Sequence, residues 1–363
     1  MSSVECRRRF QHVGRTLSDQ ETMTRIEKLQ QGGILRLGKP NRFRYVDADG
    51  SRVNRTDLAR IEALRIPPAW TSVAINSAAA GILQAVGKDA AGRWQYVYHE
   101  RQIRNRERKK FRRLLTFAIA VPKMRRLVSR DLRKRDLGRE RVMACMLRIL
   151  ATCFMRPGSQ VYANENGSYG LATLRPKHIK VRGDVVEFNF PGKRQVAQHR
   201  ELRDRSVARV VKELLKHHAR EVFKYQNSDG CLTDVKRRDI NAYIKEVMGE
   251  RFSAKDFRTW AGTLICACVL AREGAEARES PASKRKTLVR AVKETAQVLG
   301  NTPAVCRASY ICPEVLKSFG RGEVIDQHFD TVEDLVNHRG PRPHKAERAL
   351  VRLLKRQSTQ GDR

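Results

Sequence analysis

The 363-residue sequence lacks the features by which membrane and secreted proteins are usually recognised. Its longest apolar runs, such as residues 264–271, are far shorter than the ~20 residues that cross a bilayer. The first ten residues are polar and basic, and they contain no apolar core of a signal peptide. We therefore predict a cytoplasmic protein that has no membrane partner.

Motifs for common cofactors are missing as well. There is no GxxxxGKS/T phosphate loop, so no nucleotide is expected, and there is no HExxH pair or other metal-ligand spacing. The eight cysteines form no CxxC pair and are expected to be reduced, buried thiols. With no cofactor or metal, an enzyme acting on phosphodiester bonds would have to supply positive charge from its own side chains.

Acidic residues are scarce compared with basic ones. The chain has 39 Asp and Glu against 74 Lys and Arg, which gives a formal net charge of +35. A compact chain with this excess repels itself unless a polyanion neutralises it, and the phosphate backbone of a nucleic acid is the simplest such partner. The excess is densest over residues 101–148, where 18 Lys or Arg face 4 Asp or Glu. Although such a run can be a solvated helix face, we interpret it as a surface that faces nucleic acid.

Strand-like segments recur in the first hundred residues. They lie at residues 34–37, 43–46, 73–75 and 94–98, with one short helical segment at 58–64. The pattern of residues 82–86 is ambiguous by itself, and we predict a fifth strand there. Hydrophobic residues make up 40% of the whole chain, enough for a buried core. The pattern predicts a basic N-terminal arm at residues 1–30 and a β-rich domain at residues 31–103.

Helical spacing dominates the remainder of the chain. Apolar residues mark helix faces within residues 142–153, 207–223 and 288–299. The exception is an alternating stretch at residues 178–190, which predicts a β-hairpin with Gly192 and Lys193 at its far end. We therefore predict an α+β fold in which a small β-rich domain precedes a larger, mainly helical domain, residues 104–344, and a basic C-terminal tail, residues 345–363, which forms either a helix or a fraying end.

Four separate segments carry residues that could bind and attack a phosphate. Arg156 follows an apolar helix in FMRPG, and Lys193 lies beyond the hairpin in FPGK. Arg258 lies in SAKDFRTW, and Tyr310 ends the segment GNTPAVCRASY. A single arginine or tyrosine in so basic a chain is most often an ordinary surface or core residue. The order, spacing and surroundings of the four residues are what distinguish them.

Taken together, these segments resemble the type IB DNA topoisomerases, in their small poxvirus-like and bacterial branch. The resemblance runs from about Ile34 to Leu316 and includes the N-terminal motifs IPPAW, QAVGKD and QYVYH at residues 66–70, 84–89 and 95–99. Asn301 occupies a position that is His in some members of the family and Asn in others. Pro157 and the pair Arg194-Gln195 depart from the typical pattern.

The resemblance implies a function and a role for each of these residues. Tyr310 would attack a backbone phosphorus and form a 3′-phosphotyrosyl link, while Arg156, Arg258 and Asn301 stabilise the charge on the phosphate oxygens. Lys193 would protonate the leaving 5′-oxygen. Exchange of one phosphodiester for another needs no ATP or metal, and strand rotation would relax supercoils.

The resemblance also implies how the DNA is held. A C-shaped clamp, working as a monomer on DNA of the nucleoid, would close around the duplex. By their positions in the motifs, Tyr162 and Lys255 would contact the DNA.

Two other interpretations remain open at this point. Tyrosine site-specific recombinases share an Arg, Lys, Arg and Tyr scheme, but their second arginine usually follows a His three residues earlier, where this chain has Lys255. A non-catalytic DNA-binding protein could use the same positive charge for compaction without any role for Tyr310. Relaxation of a plasmid that lacks a special target site would separate these classes.

Overall fold

The computed structural model describes residues 17–40, 42–217, 219–273, 280–338, 340 and 342–360. The chain divides into two compact units, Met1–Lys110 and Phe111–Arg363. The predicted boundary, residue 103, and this division both fall within one helix, Glu100–Asp131. Within the described ranges, no helix combines the length and apolar character needed to span a bilayer.

The first unit is built on a five-stranded antiparallel sheet. Its strands are β1 (Ile34–Leu37), β2 (Arg44–Val46), β3 (Thr71–Ile75), β4 (Leu83–Lys88) and β5 (Trp94–Tyr98), in the order β2-β1-β3-β4-β5. Its helices are α1 (Leu17–Gly32) and α2 (Arg55–Ala63). All five predicted strands are present, with ends that differ by up to two residues from the predicted ones.

A small apolar core lies on each face of this sheet, because successive strand residues point to opposite sides. On one face, Ile26 and Leu29 of α1 pack with Ala74, Leu83 and Val86. On the other face, Ile61 of α2 packs with a second group, Ile34, Val73, Ile75 and Ala85. Helix α1 overlaps the predicted basic arm, and its residues Ile26 and Leu29 are part of the packed domain. Residues 1–16 of that arm lie outside the described residues.

The second unit is mainly helical. Its helices are α3 (Glu100–Asp131, which begins in the first unit), α4 (Arg139–Cys153), α5 (Gln160–Asn166), α6 (Arg205–Leu215), α7 (Arg237–Met248), α8 (Ala254–Glu273), α9 (Pro281–Leu299), α10 (Pro303–Tyr310), α11 (Pro313–Gly320), α12 (Val332–Asn337) and α13 (Lys345–Gln360). Its strands are β6 (Ile179–Arg182), β7 (Val185–Pro191) and β8 (Ala197–Arg203) in one sheet, and β9 (Lys224–Gln226) with β10 (Leu232–Asp234) in another. The predicted α+β class is therefore confirmed.

Two helices form the centre of this unit. Helix α8 buries 16 of its 20 residues, and α4 buries 12 of its 15. A helix that is apolar nearly all round belongs inside a protein, which accounts for the position of both. The burial of α8 carries Arg258 into the interior together with its apolar neighbours.

The structure corrects one predicted helix and adds strands that the sequence did not indicate. Helix α6 ends at Leu215, whereas Val222 and Phe223 are buried in the segment that leads to β9. Strand β8 has the sequence AQHRELR, in which no apolar alternation is visible. The β9–β10 strands have only three residues each, too few to show a period.

The C-terminal segment, predicted as a basic helix or a fraying tail, contains the well-packed helix α13. Its apolar face buries Ala346, Ala349 and Leu350. Glu347 of this helix accepts two hydrogen bonds, at 2.9 and 2.8 Å, from Arg125 of α3. Residues 361–363 lie outside the described residues.

Candidate active site

Arg258 forms the buried centre of the candidate site. Its side chain lies on α8 and is 3% exposed. Nη1 donates to the Phe154 carbonyl at the end of α4, and Nη2 donates to the Leu299 carbonyl at 2.7 Å. The Nε atom is buried without a partner among the residues described. Burial lowers the pKa of Arg258, and the neighbouring Tyr310 phenol opposes that shift. One guanidinium group therefore ties the ends of α4 and α9 together and keeps one donor unused.

Arg156 enters the site from the loop that follows α4. Phe154 ends this helix in the left-handed region, with φ of 54°, which turns the chain away from the helix axis. The Arg156 carbonyl accepts a hydrogen bond from the Leu171 amide at 2.9 Å, which fixes the loop. Burial, with smaller effects of the Arg258 and Arg200 charges, lowers the pKa of Arg156 to about 10. The group is still protonated at neutral pH.

Asn301 contacts Arg156 directly. Helix α9 ends at Gly300, which has φ of 61°, and Asn301 follows at once. Its Oδ1 atom accepts a hydrogen bond from Nη2 of Arg156, which also donates to the Gly300 carbonyl at 3.3 Å. The Nδ2 group is buried, and no atom of the described chain accepts from it. The arginine thus orients the amide so that its N–H donors stay available.

Tyr310 lies at the C-terminal end of α10, with its ring beside Arg258. The Arg258 Cζ atom is 5.0 Å from the centroid of the half-buried ring. Thr263 of α8 donates to the Tyr310 carbonyl at 3.2 Å. A Cβ atom on Gly262 would lie 2.8 Å from the same carbonyl, so only glycine allows this approach of α10 to α8. The phenol is therefore held at the edge of the arginine cluster.

Lys193 is placed differently from these four residues. It lies in the turn between β7 and β8, and its side chain is exposed. Arg194 and Gln195, which follow it, both have φ of 61°, an unfavourable left-handed conformation for residues other than glycine. Gln195 Nε2 donates to the Asn166 carbonyl at the end of α5. Within the described parts of the chain, Lys193 Nζ has no hydrogen-bond or ion-pair partner.

The two predicted DNA contacts are surface residues. Tyr162 is 46% exposed on α5, and Lys255 is exposed in the first turn of α8, one turn before Arg258. Their positions leave them free to meet a ligand, and their proposed contacts with DNA stay predictions.

The structure adds Arg200, a residue that the sequence did not single out. It is half-buried on β8, where burial lowers its pKa. Its charge also contributes to the lowered pKa of Arg156, so the two groups lie near one another. The strand that carries it was not predicted, and one more arginine in so basic a sequence gave no signal.

The arginine cluster, defined as Arg156, Arg200 and Arg258, has an unbalanced charge. None of the three forms an ion pair with a carboxylate of the described residues, although many exposed arginines of this chain do. Positive charge without a carboxylate partner favours binding of an anion, and the forked guanidinium donors of Arg156 and Arg258 match a phosphate. The Nη1 and Nη2 groups of Arg200 instead donate to atoms of the protein itself. Elsewhere in the described chain, no group of three or more His, Cys, Asp or Glu could hold a metal ion.

Comparison with known proteins finds two matching family profiles. The family profile described as the catalytic core of eukaryotic DNA topoisomerase I matches residues 99–320. The profile described as the N-terminal domain of bacterial DNA topoisomerase IB matches residues 42–89.

Individual relatives extend the match. The chain is 35% identical to a DNA topoisomerase 1B of Acanthamoeba polyphaga mimivirus over 306 residues, which cover 82% of this chain and 90% of the relative. It is 26% identical to the DNA topoisomerase 1B of Vaccinia virus (strain Copenhagen) over 235 residues, 64% of this chain and 71% of the relative. The DNA topoisomerase I of Monkeypox virus matches over the same shares at 26% identity.

These matches first place the chain in a class of enzymes, the DNA topoisomerases, which are isomerases that act on duplex DNA. More narrowly, the chain belongs to the type IB DNA topoisomerase family.

Proposed function

We propose that the protein relaxes supercoiled duplex DNA by transient cleavage of one strand, with Tyr310 as the nucleophile. The observation that supports this most directly is the position of the Tyr310 ring, 5.0 Å from the guanidinium of the buried Arg258. The deprotonated oxygen of a phenol is its attacking form. The Arg258 guanidinium would attract the phosphate that is attacked.

The chemistry follows from the donors that the site leaves unused. The Tyr310 hydroxyl gives its proton to solvent, and its oxygen forms a bond to phosphorus while the bond to the 5′-oxygen breaks. Negative charge grows on the two non-bridging oxygens. The Arg258 Nε and Asn301 Nδ2 groups, both buried and without partners, would donate to those oxygens together with Arg156. Donors that are fixed before the reaction stabilise the transition state most.

Lys193 would complete the reaction as the general acid. Its ammonium group would protonate the leaving 5′-oxygen, and the deprotonated amine would take that proton back during religation. One phosphodiester is exchanged for another at little cost in free energy, so the proposed cycle uses no ATP. Because side chains supply the positive charge, we also propose that it uses no metal.

We propose further that the protein works as a monomer that closes around duplex DNA in the cytoplasm, in association with the nucleoid. The net charge of +35 supports a DNA partner. Tyr162 and Lys255 would contact the DNA, and both are exposed to do so.

Supercoiled-plasmid relaxation in EDTA without ATP tests the proposal, with a denaturant quench to trap the protein–DNA adduct. We expect Tyr310→Phe to abolish both relaxation and adduct while DNA binding largely persists. Tyr225→Phe is a matched control, because Tyr225 lies on β9 outside the candidate site. Relaxation by Tyr310→Phe at the wild-type rate would rule out the proposed nucleophile.

The choice of plasmid separates this activity from recombination. A plasmid without any special target site should be relaxed to a series of topoisomers. A protein that joins only paired cognate sites, and leaves this plasmid supercoiled, would instead be a site-specific recombinase.

A further inference from the structure

Gln198 of β8 lies against two glycines, each of which directly precedes a predicted catalytic residue. A Cβ atom on Gly192, next to Lys193, would lie 2.7 Å from Gln198 Cγ. A Cβ atom on Gly300, next to Asn301, would lie 2.7 Å from Gln198 Oε1. Such distances are too short for real side chains, so Gln198 fills the space that both glycines leave open. One buried side chain therefore touches the bases of both the Lys193 turn and the Asn301 loop.

Arg200 holds Gln198 in this position. The two residues are two apart on β8 and therefore lie on the same side of the strand. Arg200 Nη2 donates to Gln198 Oε1 at 2.9 Å and to the Val298 carbonyl at 3.1 Å. Nη1 donates to the His199 carbonyl at 2.8 Å. The hydrogen bonds of one guanidinium thus join strand β8 to the last turn of α9.

The hydrogen bond from Arg200 to the Val298 carbonyl is favourable because Val298 lies at the C-terminal end of α9. Val298 lies in the last turn of α9, where carbonyls lack partners within the helix. A cation at this end also interacts well with the helix dipole. The helix leads directly into Gly300 and Asn301, so Arg200 restrains the loop that presents the Asn301 amide.

We propose that Gln198 and Arg200 are positioning residues for DNA cleavage, which hold the Lys193 turn and the Asn301 loop at a fixed separation. This inference rests on the proposed function and adds two residues that do not themselves touch the scissile phosphate. Catalytic groups act only when correctly placed, and a displacement of about 1 Å can slow a reaction by about 10²-fold. Loss of either residue should therefore slow cleavage without weakening DNA binding.

Single-turnover cleavage of a plasmid by excess enzyme tests the inference, with the adduct measured after a denaturant quench. We expect Arg200→Ala to slow cleavage by about tenfold, as loss of the Asn301 amide itself would, and to leave DNA affinity within about twofold. Arg203→Ala is the matched control. Arg203 is an exposed residue of the same strand, and its substitution removes the same charge. It should cleave within about twofold of the wild-type rate.

A double-mutant cycle separates positioning from simple stabilisation of the fold. If Arg200 acts by placing Asn301, its removal matters little once the Asn301 amide is gone. The Arg200→Ala/Asn301→Ala double variant should then be slower than Asn301→Ala by less than about threefold. If the rate loss of the double variant equals the product of the losses of the two single variants, the inference is wrong. If Arg200→Ala does not fold, the same cycle with Gln198→Ala decides, since that variant keeps the hydrogen bond to Val298.

The outcomes distinguish this inference from the proposed function. Absence of any adduct with the wild-type protein would refute the proposed function itself. A wild-type adduct with unchanged rates for Arg200→Ala and Gln198→Ala would refute only the role of these two residues.

Discussion

The two parts of the candidate site are built in different ways. Arg156, Arg258, Asn301 and Tyr310 are buried or half-buried, and contacts among α4, α8, α9 and α10 hold them in place. Lys193 instead stands on an exposed turn whose following residues have left-handed backbone angles. The groups proposed to bind the phosphate are therefore preorganised, whereas the proposed acid still has to meet its target. The comparison predicts that substitutions in the buried part affect stability and rate together, and those in the exposed turn affect rate alone.

Removal of Arg258 should give the largest effect. Arg258→Ala deletes a transition-state donor, for which we expect a loss of about 10³-fold in cleavage rate. It also leaves the Phe154 and Leu299 carbonyls without their donor, so the melting temperature should fall by about 5 °C. Plasmid relaxation and thermal unfolding measure the two effects. Arg272→Ala, a change on the same helix at a partly exposed residue, is the control and should leave the rate within about twofold.

Removal of Lys193 should lower the cleavage rate without changing the stability of the fold. Lys193→Ala should slow single-turnover cleavage by about 10²-fold, because the leaving oxygen loses its proton donor. The melting temperature should not change, since the exposed ammonium has no partner in the described structure. Lys180→Ala, at an exposed lysine of the same sheet, is the control for loss of one charge. A clear loss of stability in Lys193→Ala would break the contrast between the two parts of the site.

Asn301 should show an intermediate effect. Asn301→Ala removes a neutral donor, and we expect cleavage to slow by about tenfold, less than for either charged residue. Asn301→Asp keeps a partner for Arg156 but directs negative charge at the phosphate, so it should be slower than Asn301→Ala. Cleavage by the Asp variant at or above the rate of the Ala variant would exclude a contact between residue 301 and the phosphate oxygens.

Lys255 should give the smallest effect. Lys255→Ala should weaken DNA binding a few-fold and reduce the slope of log affinity against log salt by about one, as expected for one lost phosphate contact. The single-turnover rate at saturating enzyme should stay within about twofold of wild type. An unchanged salt slope in filter binding or fluorescence anisotropy would show that Lys255 does not contact a phosphate.

The contrast also explains what could be predicted from the sequence. Four of the five N-terminal strands have apolar patterns between turns that predict them directly, whereas the strand at residues 82–86 was ambiguous by pattern and was predicted through the family resemblance. Arg156, Lys193, Arg258 and Tyr310 were singled out because their motifs occur in a familiar order, and the structure brings Arg156 and Tyr310 to Arg258.

The contribution of strand β8 could not be predicted in the same way. Its side chains are long and polar, and its single buried leucine, Leu202, shows no period. The roles of Gln198 and Arg200 depend on contacts with Gly192, Gly300 and Val298, which are distant in sequence. Helix α1 was missed for a related reason, because only Ile26 and Leu29 show its apolar face among many charged residues.

The lack of carboxylate partners in the arginine cluster has a consequence for the protein without DNA. Three like charges that lie close together at reduced solvation repel one another, and the free energy of folding bears that cost. A bound phosphate group would neutralise part of the charge, so the DNA-bound protein should be stabilised by more than the contacts alone would give. By the same reasoning, sulfate or inorganic phosphate should compete with DNA for the arginine cluster and act as a weak inhibitor while protecting the free protein against heat.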